Sequence, residues 1–363
     1  MSSELAISVG KMESVNNADA ETRVHLLTKC QEKAWDDYVF RNRAATVFHL
    51  ICWKQLIEQT FGFEPRYLLA ESSGDITGIL PLFLVRNAVV GRALISTPFA
   101  VYGGICASDE NSTKALLNTA RILAREEKVD YMELRSEEPL PDSDLHTKEL
   151  YVTFQHKLPD SSEALYAGLP RDTRYMIRKG EKAGLRAISD TQQLPIFYDI
   201  YADSLRRLGT PVFGRRFFEG ICSGFAEQCE ITVIWNGERA VAGALSFRFR
   251  DWIIPYYGGS LFEGRSVAAN NYLYWEIMQS AIARGLRYFD FGRSKLGTGA
   301  YAFKTQWNMR ETALPYQYYL VRRKQMPNFS PANPRFKPAT AAWKRLPLSV
   351  TNTLGPRLIR FFP

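Results

Sequence analysis

The sequence is short of the side chains on which most hydrolases and metalloenzymes depend. Its 363 residues include only four histidines, His25, His49, His146 and His156. None has metal spacing, and none is expected beside a glycine-rich strand end. No Gly-x-Ser-x-Gly elbow and no P-loop lysine motif occurs. The five cysteines, Cys30, Cys52, Cys106, Cys222 and Cys229, are odd in number. Their spacing fits neither a metal site nor a disulfide framework. A Ser/His/Asp hydrolase and a zinc enzyme are thereby disfavoured, no metal is expected, and a reducing compartment is. Residues 1–22 are polar and lack the apolar core of a signal peptide. No apolar run is long enough to span a bilayer. The expected location is the cytoplasm.

Acidic residues are missing from one region. Residues 321–363 hold nine Lys/Arg and no Asp/Glu, which leaves 37 of the 46 basic residues against all 38 acids in the first 320. The net charge of +8 therefore sits in the tail. A neutral body disfavours nucleic-acid binding by that body. The tail also carries seven prolines, which should break any long element. Its segments "ATAAWKRL" and "VTNTLGPRLIRFF" mix basic and bulky apolar residues. They should lie across the protein or make peripheral contact with the inner membrane face.

What is present is an ordinary globular composition, 46% hydrophobic and 23% charged, in a chain long enough for two domains. A long-period repeat organises it. "RYLLAESSGDITGILPLFLV", "ISTPFAVYGGI" and "STKALLNTARILAREEKVDYMELRS" are answered in order by "EITVIWNGERAVAGALSFRF", "WIIPYYGGSL" and "NNYLYWEIMQSAIARGLRYFDFGRS". Each copy reads as hairpin, strand ending in Tyr-Gly-Gly, helix, and strand ending in Arg-Ser. Tyr102-Gly103-Gly104 matches Tyr257-Gly258-Gly259, and Arg135-Ser136 matches Arg293-Ser294. This order predicts a tandem α/β (α+β) protein with mixed sheets and flanking helices.

Local signals fill in the elements. "WNGE" at 235–238 predicts a type I′ hairpin turn. Leu245, Phe247 and Phe249 alternate with Ser246, Arg248 and Arg250, which predicts a strand with one wet face. Tyr274, Ile277, Met278, Ala281 and Ile282 form a helical apolar stripe stopped by Gly285. Leu116, Thr119, Ala120 and Leu123 do the same in the first copy. A helix is expected at 45–60. Another follows Pro170 over 170–184, with Arg171, Arg174, Arg178 and Lys182 forming a basic stripe. Such a stripe is either a solvated face or a phosphate site. Arg206, Arg207 and Thr210 in "SLRRLGTPVF" are placed on a loop over the site.

The stretch "FDFGRSKLGTGAYAFKTQWN" ends a core strand in glycines, an arginine, a serine and a lysine. Glycines 258, 259, 292, 297 and 299 either let backbone approach a substrate or mark strand bulges. Together with "LGTPVF", "RYMIRKGEKAGL" and "NNYLYWEIMQSAIARGLRYFDFG", this stretch resembles the FemAB-like proteins over roughly residues 35 to 320. The resemblance is nearest to the FemAB-related proteins of exosortase and exopolysaccharide gene clusters. It implies two GNAT-like domains, assigned to 23–160 and 161–320 after an N-terminal segment 1–22 expected to be disordered, with the tail at 321–363.

The resemblance also implies a reaction. An acyl or aminoacyl group would move from acyl-CoA or aminoacyl-tRNA to an amine on a cell-envelope, exopolysaccharide or peptidoglycan precursor. The acceptor would bear phosphate, charged tRNA is a candidate partner, and no cofactor would be permanently bound. Direct attack by an amine needs no covalent nucleophile, only stabilisation of an oxyanion and help with deprotonation. Lys304 matches the family's Phe-Lys position and is assigned to stabilising negative charge; otherwise it is a surface lysine. Asp290 would orient or deprotonate the amine, or else cap a turn or pair with Arg293. Tyr257 would protonate the leaving group, or else be packing. Arg171, Arg174, Arg178, Lys182, Arg206, Thr210, Tyr102, Asn271, Arg293 and Ser294 form the expected substrate-binding set. One feature departs from the superfamily: "RSVAANN" at 265–271 replaces the glycine-rich loop that admits a pyrophosphate to a helix N-terminus. That departure motivates an alternative, a non-catalytic binding subunit.

Overall fold

The computed structural model describes residues 22–327 and 337–363. The expected disordered N-terminus falls almost entirely outside the described residues, as does 328–336 of the tail. The first half comprises β1 (Arg23–Leu26), α1 (Glu32–Arg41), α2 (Ile51–Phe61), β2 (Glu64–Pro65), β3 (Leu68–Ser72), β4 (Asp75–Leu80), β5 (Leu82–Asn87), β6 (Gly91–Ser96), β7 (Cys106–Ala107), α3 (Glu110–Glu126) and β8 (Tyr131–Leu134). A long strand, β9 (His146–Lys157), leads on to α4 (Ser162–Gly168), α5 (Arg171–Lys182), β10 (Leu185–Ser189), α6 (Leu194–Leu208) and α7 (Arg215–Phe225). The second copy follows as β11 (Cys229–Asn236), β12 (Arg239–Phe249), β13 (Trp252–Ser260), α8 (Ala269–Ala283) and β14 (Tyr288–Asp290). The chain continues with β15 (Ser294–Lys295), α9 (Gly299–Thr305), β16 (Arg310–Leu320), α10 (Lys337–Trp343) and α11 (Leu348–Ile359).

The repeat is structural. In the first copy β6 and β8 are parallel and joined through α3; in the second β13 and β14 are parallel and joined through α8. The strands after each copy are exchanged. β9 leaves the first copy and pairs with β14, while β16 leaves the second and pairs with β8. β9 and β16 also pair with each other, so one sheet runs β10-β11-β12-β13-β14-β9-β16-β8-β6-β5-β2, with β15 beside β9. A second sheet has the order β1-β3-β4-β7. One core cluster draws on both halves: Trp53 meets Phe225 and Phe247, and Phe48 packs on Tyr256. The aromatic area buried there makes the halves one body.

Several local expectations need correction. The helix expected at 45–60 begins at Ile51, because Thr46 and His49 close a separate short turn and Leu50 is extended. At "WNGE" only Gly237 has a positive φ, 59°. A single left-handed first position is the type II′ pattern, not I′. The face of β12 opposite Leu245 is wet only toward its end, where Arg248 is half-buried and Arg250 exposed. Ala242 and Ala244 pack in the cluster formed with α8, and Ser246 is buried. In the first copy Tyr102-Gly103-Gly104 lies beyond the end of β6, not within a strand. Arg206 and Arg207 are in α6, not a loop. Asp203 pairs with both, and the helix runs to Gly209 at φ 80°. The prolines do not abolish structure in the tail. α11 runs through Pro356 because Thr351, Gly355 and Ile359 are buried, with Gly355 against Val212. Among the described residues no helix is long and apolar enough to cross a membrane.

Candidate active site

Strand alternation aims Asp290. Phe289 and Phe291 point into the core under α8, so the residue between them faces the first half. There the Asp290 carboxylate accepts hydrogen bonds from Tyr102 Oη at 2.5 Å, Thr153 Oγ1 at 2.5 Å, the Gly292 N–H at 2.7 Å and Gln155 Nε2 at 3.3 Å. Tyr102 belongs to the first copy, Thr153 and Gln155 to the exchanged strand β9, and Asp290 to the second copy. Burial first, and then the charge of Asp290, raises the Tyr102 phenol well above its ordinary value. Tyr102 is therefore held as a donor.

Lys304, on α9, closes the other side of the turn after β14. Its ammonium donates to Phe291 O at 2.7 Å, Gly292 O at 2.9 Å and Arg293 O at 3.4 Å. Burial pushes it down to about 8, with Asp290 acting in the opposite sense and Arg293 reinforcing the shift. All three of its donors are engaged by backbone. In this state Lys304 fixes the carbonyls of the turn and is buried, not a surface lysine.

Asp290 opens into a cleft of about 70 Å³ walled by Arg43, Thr46, Tyr102, Glu137 and Arg250. That volume suits the end of a substrate, not a whole one. Glu137 is an exposed residue at the cleft, where desolvation by the neighbouring chain, followed by the charges of Asp290 and Glu138, pushes its carboxyl up to about 7. Arg250, at φ 54° in the hairpin between β12 and β13, donates to Ala45 O and so holds the 39–45 segment in place. His49 corrects one expectation. Its Nε2 bonds Gly104 O at 3.1 Å, so a histidine does stand beside a Tyr-Gly-Gly signature. Burial pushes it down to about 4, so it is a neutral positioning group.

Beside this centre the parallel pair β13–β14 comes apart. Only Trp252↔Tyr288 and Ile253↔Phe289 are in register. Beyond them β13 keeps its bonds to β12, and among the described residues no second strand lies beside its edge at Tyr256–Ser260, where Ser260 O accepts from Arg207 and Gly258 is exposed. The start of α8 lies beyond the far end of this edge. Ala268, at φ 56°, turns the chain into the helix without a glycine, and the first intrahelical bond runs from Tyr272 N to Ala268 O. The N–H groups of residues 269–271 thus project from the helix start, although the glycine loop is missing. Asn271 is buried there.

The remaining sequence candidates divide. Arg171, Arg178 and Lys182 are exposed and Arg174 half-buried on α5. Thr173 ties that helix to the site by donating to Gln306 O at 2.6 Å. Arg293 and Ser294 follow the turn fixed by Lys304, and Ser294 is buried. Tyr257 stands apart from Asp290, in an aromatic cluster with Tyr201, Phe213, Phe217 and Phe218. Arg206 donates to Lys344 O at 3.0 Å and to Asp203, which ties it to the tail. Thr210 caps α6 through its N–H to Leu205 O. Glu137, Thr153, Gln155 and His49 escaped the sequence reading. Only Glu137, two residues beyond the repeated Arg135, carried a local signal.

Residues 169–305 match the family model described as an acetyltransferase (GNAT) domain. No curated protein matches the chain. Among solved structures, FemX is similar with a TM-score of 0.67 at 15% identity, covering 83% of this chain and 98% of its own. A tandem GNAT protein from the clavulanic acid biosynthesis pathway has a TM-score of 0.54 at 11% identity, with 84% and 100% covered. L-PGS from Bacillus licheniformis has a TM-score of 0.50 at 12% identity, with 85% and 96% covered. Residues 169–305 therefore match a GNAT acetyltransferase domain, and the chain shares the mixed α/β fold of FemX and of a tandem GNAT protein.

Proposed function

We propose that this acyltransferase moves an acyl or aminoacyl group from acyl-CoA or aminoacyl-tRNA to an amine on a phosphate-bearing envelope precursor. One observation carries the reading: a buried carboxylate centre, Asp290 with Tyr102, opens into a small cleft beside a splayed strand edge. The acceptor amine enters the cleft and attacks the ester or thioester carbonyl of a donor lying along β13. A C–N bond forms and the C–O or C–S bond breaks. Glu137 takes the ammonium proton, since a base poised near neutral pH suits that transfer. Asp290 orients the amine, and the leaving oxygen or sulfur is protonated from solvent. Lys304 holds the 291–293 turn in the geometry this requires. The stripe on α5 contributes Arg and Lys heads to phosphates of donor or acceptor.

Calorimetry at fixed moderate salt tests the donor, with acetyl-CoA compared against a charged tRNA and its uncharged form. Salt is fixed because phosphate contacts by lysine and arginine are salt-dependent. Saturable acetyl-CoA binding assigns a CoA donor; tRNA binding that requires the aminoacyl group assigns the other. Binding of neither would overturn the reading.

A further inference from the structure

The duplication places two arginines in matched positions with unequal surroundings. Arg135 follows β8 and Arg293 follows β14. Each lies over a tyrosine of an exchanged strand: Arg135 over Tyr316 at 5.6 Å, and Arg293 over Tyr151 at 4.7 Å and Tyr316 at 5.8 Å from the ring centres. Arg135 has four of its five N–H donors engaged. Its Nε meets Glu133 Oε1 at 2.8 Å, Nη1 meets Thr97 O and Ala100 O at 3.2 and 3.0 Å, and Nη2 meets Pro363 O at 3.0 Å. Arg293 makes one long bond, from Nη1 to Tyr316 Oη at 3.4 Å. Among the described residues it has no carboxylate within ion-pair distance.

The sequence shows where the second copy differs. In strand register Tyr131-Met132-Glu133-Leu134 answers Tyr288-Phe289-Asp290-Phe291, but Gly292 is inserted before Arg293. The acid matching Glu133, Asp290, is turned to Tyr102, Thr153, Gln155 and the Gly292 N–H instead of to the arginine. Among the described residues the tail supplies an oxygen to Arg135 and none to Arg293. Arg293 is thus a half-buried cation lying over two aromatic rings, with most of its five N–H donors unpaired within the described residues. Leaving a guanidinium desolvated without an acid is costly. Ring contacts offset only part of that cost. Its partial exposure at the end of the turn held by Asp290 and Lys304 leaves a way in.

We propose that Arg293 anchors an oxyanion of the ligand, a phosphate or a carboxylate, in the place that Glu133 and Pro363 fill around Arg135 in the first copy. A flat guanidinium with free in-plane donors matches either group bidentately. The assignment extends the acyl-transfer reading by naming an anchor. Its test reads Arg293 directly, so it can fail while that reading stands.

The full chain is treated with phenylglyoxal and the modified arginines are mapped by peptide mass spectrometry. Inorganic pyrophosphate, succinate or chloride is added at equal ionic strength. Arg293 should react faster than Arg135, and pyrophosphate or succinate, but not chloride, should slow it about tenfold. Protection by pyrophosphate alone identifies a phosphate ligand, and protection by succinate alone a carboxylate. In calorimetry Arg293→Lys, which keeps the charge and loses the fork, should weaken binding of the protecting anion about tenfold. Equal labelling of both arginines, no protection by either anion, or unchanged binding by Arg293→Lys would overturn the assignment.

Discussion

At the scale of single residues, two titrating groups both favour higher pH, one for rate and one for stability. The Glu137 carboxyl, pushed up to about 7, cannot accept a proton while protonated. The kcat/KM of the transferase should therefore fall as pH drops below about 7, and Glu137→Gln should lose both this limb and most of the rate, about 10²-fold or more. A variant that keeps the acid limb would move the base elsewhere. Lys304 is lowered from 10.5 to about 8. Below pH 8 both states are protonated and burying the charge costs the folded state. Between 8 and 10.5 the unfolded chain holds the extra proton, so stability rises with pH. Relative to Lys304→Met, the wild type should gain up to about 3 kcal/mol across that window in denaturant titrations. A flat difference would mean that the ammonium is not desolvated.

At the scale of elements, the two Tyr-Gly-Gly signatures serve different ends. A Cβ at Gly104 would stand 2.2 Å from Ser136 Oγ and 2.8 Å from Ser136 Cα, because the loop after β6 presses on the strand end after β8. Gly104→Ala should cost about 1–3 kcal/mol in thermal or denaturant unfolding. A Cβ at Gly258 would meet nothing closer than Gly243 O at 3.5 Å. Gly258→Ala should therefore change stability by less than about 1 kcal/mol while raising the KM for a donor that lies along the β13 edge. If the KM for both donors is unchanged, the donor does not use this edge.

At the scale of the molecule, the exchange of β9 and β16 couples the halves. β8 has β16 as a neighbour, β9 lies between β14 and β16, and Phe48 and Trp53 pack on Phe247. A fragment ending near residue 160 would expose the edge of β8 and strip β9 of both neighbours. Such a fragment should show no cooperative melt by circular dichroism and should regain one on mixing with the remainder. A cooperative melt of the fragment alone would show that the exchange is dispensable.

Much of this architecture was legible in the chain. The matched signatures, the apolar stripes of α3 and α8, and the stop at Gly285 follow from local spacing and backbone freedom, which a sequence carries in full. The hydrogen-bond partners of Asp290 were not legible. Tyr102 lies 188 positions away and Thr153 lies 137 away, on a strand whose partner is chosen by the exchange. Sequence placed Lys304 next to a glycine-rich turn; only the packing of α9 onto that turn turned its ammonium onto three backbone carbonyls. The same holds for the two arginines. Duplication made Arg135 and Arg293 alike in sequence. Tertiary structure alone made one satisfied and left the other open, because a side chain's partners are set by what folds beside it and not by what precedes it.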